Sequence, residues 1–222
     1  MIRKYLLLGL SISAVSLVQS QVSLEVPTEY VNNSTSGGLN TLPPNVEGSP
    51  YLDEAFKPGR VHVGEEQEYA ASMRYNAYRD EIEIKAADGV TSLFKRDYVW
   101  ADIAGDLFVI APFKGRDGIS EGYFILLNQG DVRLLKRITK EFMESQPAAS
   151  SYSQDRPPRF LESVEYYLIG EEGPAREVRL RKKDVLEFLS DSGAAESFIK
   201  KEGLKLKSEE EVIRLLGYLN GS

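Results

Sequence analysis

The stretch "YAASMRYNAYRDEIEIK", Tyr69–Lys85, decides the class of fold. Its first ten residues read as a strand, Tyr78–Asp80 form a turn cluster, and Glu81–Lys85 alternate. On the last segment Ile82 and Ile84 share one face, while Glu81, Glu83 and Lys85 share the other, as in a half-buried strand with a solvated charged side. A turn this short joins antiparallel strands, because a parallel pair needs a crossover of about a dozen residues or more.

The same texture extends in both directions. "RVHV", "SLFKRDYVWADI", "DLFVIAPF", "GYFILL", "DVRLLKRITKEF", "VEYYLI" and "REVRLR" are all strand-like, with turn clusters at 87–89, 115–118, 128–131 and 170–174. No long helical pattern separates them, so residues 59–181 are expected to form a mainly β antiparallel meander, either a curled sheet or an open barrel. After Arg181 the period changes to helical. Val185, Leu186 and Leu189, then Phe198 and Ile199, then Val212, Leu215, Leu216 and Leu219 mark three short amphipathic helices. Ser208 and Glu211 are spaced as a capping box for the last of them. Helices this short need tertiary support, so 182–222 should cover an open face or mouth of the sheet, giving one α+β domain over 59–222.

Upstream, "MIRKYLLLGLSISAVSLVQSQ" has Arg3 and Lys4 before a short apolar run and a small-residue site ending at Ser20, the pattern of a secretory signal peptide over 1–20. Residues 21–58 read as a flexible arm and link, rich in Asn, Ser, Gly and Pro up to about 50, with Tyr51, Leu52 and Phe56 plugging its end onto the domain. No later segment has the length or hydropathy of a membrane-spanning helix. The expected destination is the periplasm or the extracellular space. The chain has no cysteine, which excludes disulfides, thiolate chemistry and acylation on Cys. Removing 1–20 takes away two cations and shifts the net charge from −7 to −9, which disfavours nucleic acid as a partner.

Taken together, the signal peptide ending before Gln21, "GSPYLDEAF" (48–56), "RYNAYRDEIEIK" (74–85), "GDVRLLKR" (130–137), "KKDVLEFLSDS" (182–192) and "EEEVIRLLGYLN" (209–220) resemble an uncharacterised exported protein family of Bacteroidota. That resemblance implies export and cyclisation of Gln21 to pyroglutamate, and carries no catalytic motif.

Several residues invite functional readings. "GISEG", Gly118–Gly122, has the spacing of a hydrolase nucleophile elbow, but a strand follows Ser120 where a helix should, and the only histidine, His62, lies upstream; a solvated hairpin turn is expected instead. His62 without a second His or a Cys is no start for a zinc site. Trp100, Tyr75 and Tyr123 lie on strands and are candidates for an aromatic ligand platform, with core packing as the plainer role. Arg133, Lys136, Arg137 and Lys140 on one return strand and Arg179, Arg181, Lys182 and Lys183 on another would form an anion-binding ridge if their hairpins were neighbours; protection of sheet edges is the plainer role. "GYFILLNQGDVRLLKR" and "EYYLIGEEGPAREVRLRKK" echo one another and suggest two such hairpins side by side.

The function these features suggest is a non-catalytic interaction or binding module of the cell envelope, with an envelope protein or a glycan as partner and no cofactor or metal. The alternative is an envelope hydrolase acting on glycans through carboxylates such as Asp80, Glu83, Asp102 or Asp106.

Overall fold

The computed structural model describes residues 22–23, 25–33, 42–43, 45–87, 89–115, 118–148, 155–189 and 192–221. The expected signal peptide and much of the arm lie outside these residues. Twelve strands form: β1 (Val22–Ser23), β2 (Val31–Asn33), β3 (Lys57–Val63), β4 (Gln67–Asn76), β5 (Glu81–Ala86), β6 (Gly89–Leu93), β7 (Val99–Ile103), β8 (Asp106–Gly115), β9 (Gly118–Leu126), β10 (Arg133–Met143), β11 (Arg159–Ile169) and β12 (Arg176–Val178). Eleven lie on one antiparallel path, β12-β11-β10-β9-β8-β7-β3-β4-β5-β6-β2, which does not close on itself, and β1 pairs with β4 in parallel. This is the α+β meander expected, curled and open. α1 (Lys182–Phe188), α2 (Ser192–Glu202) and α3 (Glu209–Leu219) complete it.

Two features depart from the expected meander. "SLFKRDYVWADI" is not one strand: it breaks at Phe94–Tyr98, so that β6 and β7 flank opposite sides of the β3–β4–β5 unit. The segment between them crosses one end of the sheet, with the Phe94 N–H donating to the Tyr30 carbonyl at 2.9 Å. The arm also contributes to the sheet. Val31–Asn33 pairs with β6 from Val31↔Leu93 to Asn33↔Thr91, and Val22–Ser23 lies beside Glu68–Tyr69. β5 pairs with β4 only from Met73 to Asn76, so the rest of that β4 edge is open to a further strand, and β1 takes part of it. Unpaired strand edges recruit whatever extended chain is nearby.

The curl comes from the corner between β4 and β5. Lys140 of β10 donates its backbone N–H to the Ala77 carbonyl at 3.1 Å, and the Tyr75 hydroxyl reaches the Ile138 carbonyl at 3.4 Å. The first core fills the resulting concave space with Val61, Met73, Tyr75, Ile82, Phe108, Tyr123 and Ile138. A second small core, including Phe113, Phe124 and Tyr167, forms where the β11–β12 hairpin returns to β8; there Ala175 donates to the Pro112 carbonyl at 2.7 Å. The two echoing hairpins are indeed neighbours, with β10 and β11 paired over Arg133↔Ile169 to Met143↔Arg159. At Gly59, β3 passes so close to β7 that an added Cβ would sit 2.1 Å from the Asp102 carbonyl oxygen, so no side chain fits there.

The three helices pack on the β10–β12 end through Leu134, Leu168, Val185, Ile199, Leu215 and Leu216, all buried. Ser208 accepts from the Glu211 N–H at 3.4 Å, and Glu211 reaches back to the N–H groups of Lys207 and Lys205 at 2.8 and 3.2 Å. Between them these contacts satisfy one N–H of the first turn of α3 and two in the chain leading into it. Glu209 ties the same end to the sheet, accepting from the Tyr166 hydroxyl at 2.7 Å and pairing with Lys136 at 2.9 Å. Tyr166 is pushed up to about 12 by burial and by that carboxylate.

Leu216→Ala should destabilise the whole domain by about 2 to 5 kcal/mol in urea denaturation, the usual cost of deleting a packed leucine. Burial works against the charged form of Glu209, yet hydrogen bonds from Tyr166 and Lys136 hold its carboxyl below the ordinary value of 4.5. Its contribution to stability is therefore full above about pH 4.5 and is lost as pH falls through the lowered folded-state value. Glu209→Gln should unfold more easily than the wild type at pH 7, with the two melting curves converging in acid.

Candidate functional site

Most of the residues singled out in the sequence are structural. Tyr75 and Tyr123 are 4% and 1% exposed and belong to the first core, so neither is a ligand platform. The alternation that puts Tyr123 and Ile125 on the concave face of β9 is the reason. Both hydroxyls are held far above the ordinary tyrosine range, by burial first and then by the nearby Asp80 carboxylate. Asp80 itself, at φ 56°, accepts from the Tyr75 hydroxyl at 2.8 Å and the Tyr123 N–H at 3.1 Å, and pairs with Lys95 at 2.6 Å.

Glu83 overturns the reading of a solvated charged strand face. It is fully buried, paired with Arg74 at 2.7 Å and bonded by the Asn76 amide at 3.1 Å. Arg74 lies over the Tyr51 and Phe56 rings, 3.6 and 4.3 Å from their centroids, so the link from the arm covers this pair. A sheet that curls buries parts of both its faces, and strand alternation alone does not report the second burial.

The basic ridge is dispersed by acids that the tertiary fold brings alongside. Lys136 meets Glu209, Arg137 lies 3.9 Å from Glu165, and Lys140 lies 3.5 Å from Glu162, all supplied by α3 or by β11 beside β10. Arg137 also stacks over Phe113 at 4.4 Å. Arg179 and Arg181 are exposed on the approach to α1, where Asp184 accepts from the Arg179 N–H and pairs with Arg181 at 2.6 Å. Ser120 is on strand β9, opposite Phe113, rather than in the turn, and its side chain is exposed.

Two of the nominated residues do converge. β7 stays paired with β3 out to Val63↔Val99, but leaves β8 after Ala101↔Phe108. Between the diverging strands opens a groove of about 290 Å³, lined by Trp100, Asp97, Val109, Pro112 and, from β10, Arg133 and Leu135. Trp100 is held in place by its cross-strand partner His62, whose ring stacks at 5.4 Å with planes 8° apart. His62 is thus a side-chain support, with Glu68 3.6 Å from its Nδ1. Arg133 and Asp97 have no ion-pair partner among the described residues. Asp97 escaped sequence reading because "KRDY" reads as part of a continuous strand; the Lys-Arg-Asp cluster was the signal of a break.

The remaining carboxylates nominated for hydrolysis lie elsewhere: Asp102 accepts from the Gly105 N–H at 2.9 Å in the β7–β8 turn, and Asp106 lies at an opening of the first core. Among the described residues no cluster of three or more His, Asp or Glu is arranged to hold a metal ion. No helix among them is long and apolar enough to cross a membrane.

Asp80→Ala should cost about 3 kcal/mol, because it strands the Tyr75 hydroxyl, the Tyr123 N–H and the Lys95 ammonium together. Chemical denaturation monitored by tyrosine fluorescence would measure it. No protein-family model matches the chain, and no curated protein or solved structure matches it.

Proposed function

We propose that this protein is an exported, non-catalytic binding module of the cell envelope, and that it takes a saccharide in the groove beside Trp100. The observation that carries the reading is the meeting, in one groove, of a stacked indole with a guanidinium and a carboxylate that have no ion-pair partner among the described residues. An aromatic face suits the apolar side of a pyranose ring, and Arg and Asp suit its hydroxyls and charged substituents. Three of the four carboxylates considered for hydrolysis favour binding over catalysis by their circumstances: Asp80 and Glu83 are committed to buried contacts and Asp102 to a turn. Export rests on the N-terminal pattern and on the resemblance to exported Bacteroidota proteins.

Calorimetric titration of the mature chain with neutral, acidic and amino-sugar oligosaccharides should find one class that binds. Trp100→Ala should weaken that binding at least tenfold, in line with losing an aromatic anchor, while leaving the melting temperature nearly unchanged. Equal binding by the variant, or no binding by any class, would defeat the proposal. Release of new reducing ends during the incubation, abolished by Asp97→Asn, would point to the hydrolase instead.

A further inference from the structure

The groove beside Trp100 has two unlike walls. The crossing segment and β7 supply Asp97 and Trp100 on one side, β10 and β11 supply Arg133 and Ile169 on the other, and residues 109–112 of β8 lie between them. Asp97 and Arg133 are the only charged residues among those lining the groove, and no ion pair joins them. They face one space of about 290 Å³, close to the lower end of the roughly 300–1000 Å³ range of small-molecule sites. Room of that size suits a single sugar ring.

Burial decides which of the two charges dominates there. Asp97 is exposed, so water and salt screen it. Arg133 is half-buried, opposite Ile169 across the strand pair and two residues from Leu135, which are 7% and 1% exposed. A guanidinium partly withdrawn from water among apolar neighbours, with no carboxylate of the chain to pair with, favours an incoming anion. Its planar fork of N–H donors matches a carboxylate by two parallel bonds. On the facing wall the indole stacked on His62 suits the apolar side of a ring, and the Asp97 oxygens can only accept, as ring hydroxyls require. The chain's net charge of −7 repels a polyanion, which favours one acid group over a run of them.

We propose that the groove selects an acidic sugar, a single hexuronic acid residue, with its ring against Trp100, its carboxylate on Arg133 and its hydroxyls on Asp97. The proposal rests on the saccharide reading of the same groove; it adds the class of sugar and makes Arg133 the residue that selects it.

Trp100 is the one tryptophan of the chain, so its fluorescence reports the groove itself. The test titrates the mature chain with the methyl glycosides of glucuronic and galacturonic acid, and with those of glucose and galactose, which lack only the carboxylate. One of the two acids should bind about tenfold more tightly than its neutral counterpart, and free acetate, a carboxylate without a ring, about tenfold more weakly than that acid. The acid's advantage should shrink as salt is raised, because a charge pair is screened and ring stacking is not. Arg133→Gln should weaken the acid about tenfold, to the level of the neutral sugar. Neutral sugars that bind as tightly as the acids, or an acid advantage untouched by Arg133→Gln, overturn the proposal and leave the saccharide reading standing. Acetate binding as tightly as the acids, or no change of Trp100 emission with any sugar, overturns both. Should Arg133→Gln fail to fold, the salt series on the wild type decides: an advantage that persists unchanged in high salt refutes the role of Arg133.

Discussion

The Asp80 carboxylate joins three parts of the chain that are remote in sequence. It sits at the corner after β4, and it receives a hydroxyl from β4, a backbone N–H from β9 and an ammonium from the segment crossing between β6 and β7. Without that junction the corner has no fixed position against β9, and the curl that encloses the first core loses its reference point. The left-handed backbone at Asp80 is uncommon for a side-chain-bearing residue, although Asp tolerates it better than most. Its strain is offset by three hydrogen bonds to the carboxylate, one of them from a cation.

From that corner the two open regions follow. Curling pulls β10 toward Ala77 and away from the upper part of β9, with which it pairs only at Leu126↔Leu135 and Ile125↔Lys136. The opening of the first core beside Asp106, lined by Leu52 and Ala55 of the link, is the space left inside that bend. On the other side, β7 follows β3 rather than β8, which parts the sheet beside Trp100. Both openings are consequences of strands that cannot satisfy two neighbours at once along their whole length.

Most charged side chains near the centre of the molecule are committed. Glu83 with Arg74, Asp80 with Lys95 and Glu209 with Lys136 each connect separate elements. Such pairs add little net stability when buried, since desolvation offsets attraction, but removing one partner is costly. They act as registration points between the link, the crossing segment, α3 and the sheet. Against this background Arg133 and Asp97, without an ion-pair partner among the described residues, stand out in their groove.

The antiparallel meander and the three helices were legible in the sequence because each rests on local periodicity: Ile82 and Ile84 against Glu81 and Lys85, or Val212, Leu215 and Leu216 on one helical face. The capping residue Ser208 was legible for the same reason, and the two hairpins through their echoing sequences. Burial on both faces of one strand was not. Glu83 reads as solvated because its neighbours alternate correctly, and only the curl together with the arm's link shuts it away from water. The break at Phe94–Tyr98, the docking of Val31–Asn33 on β6 and the meeting of Trp100 with Arg133 likewise depend on which edges are left open when the sheet bends. Sequence alone determined what most segments are, since hydrogen-bonded local structure follows largely from nearby residues. Only the tertiary structure decided which segments meet, because pairing across tens of residues is settled by shape, by edge satisfaction and by the charges that must find partners once water is excluded.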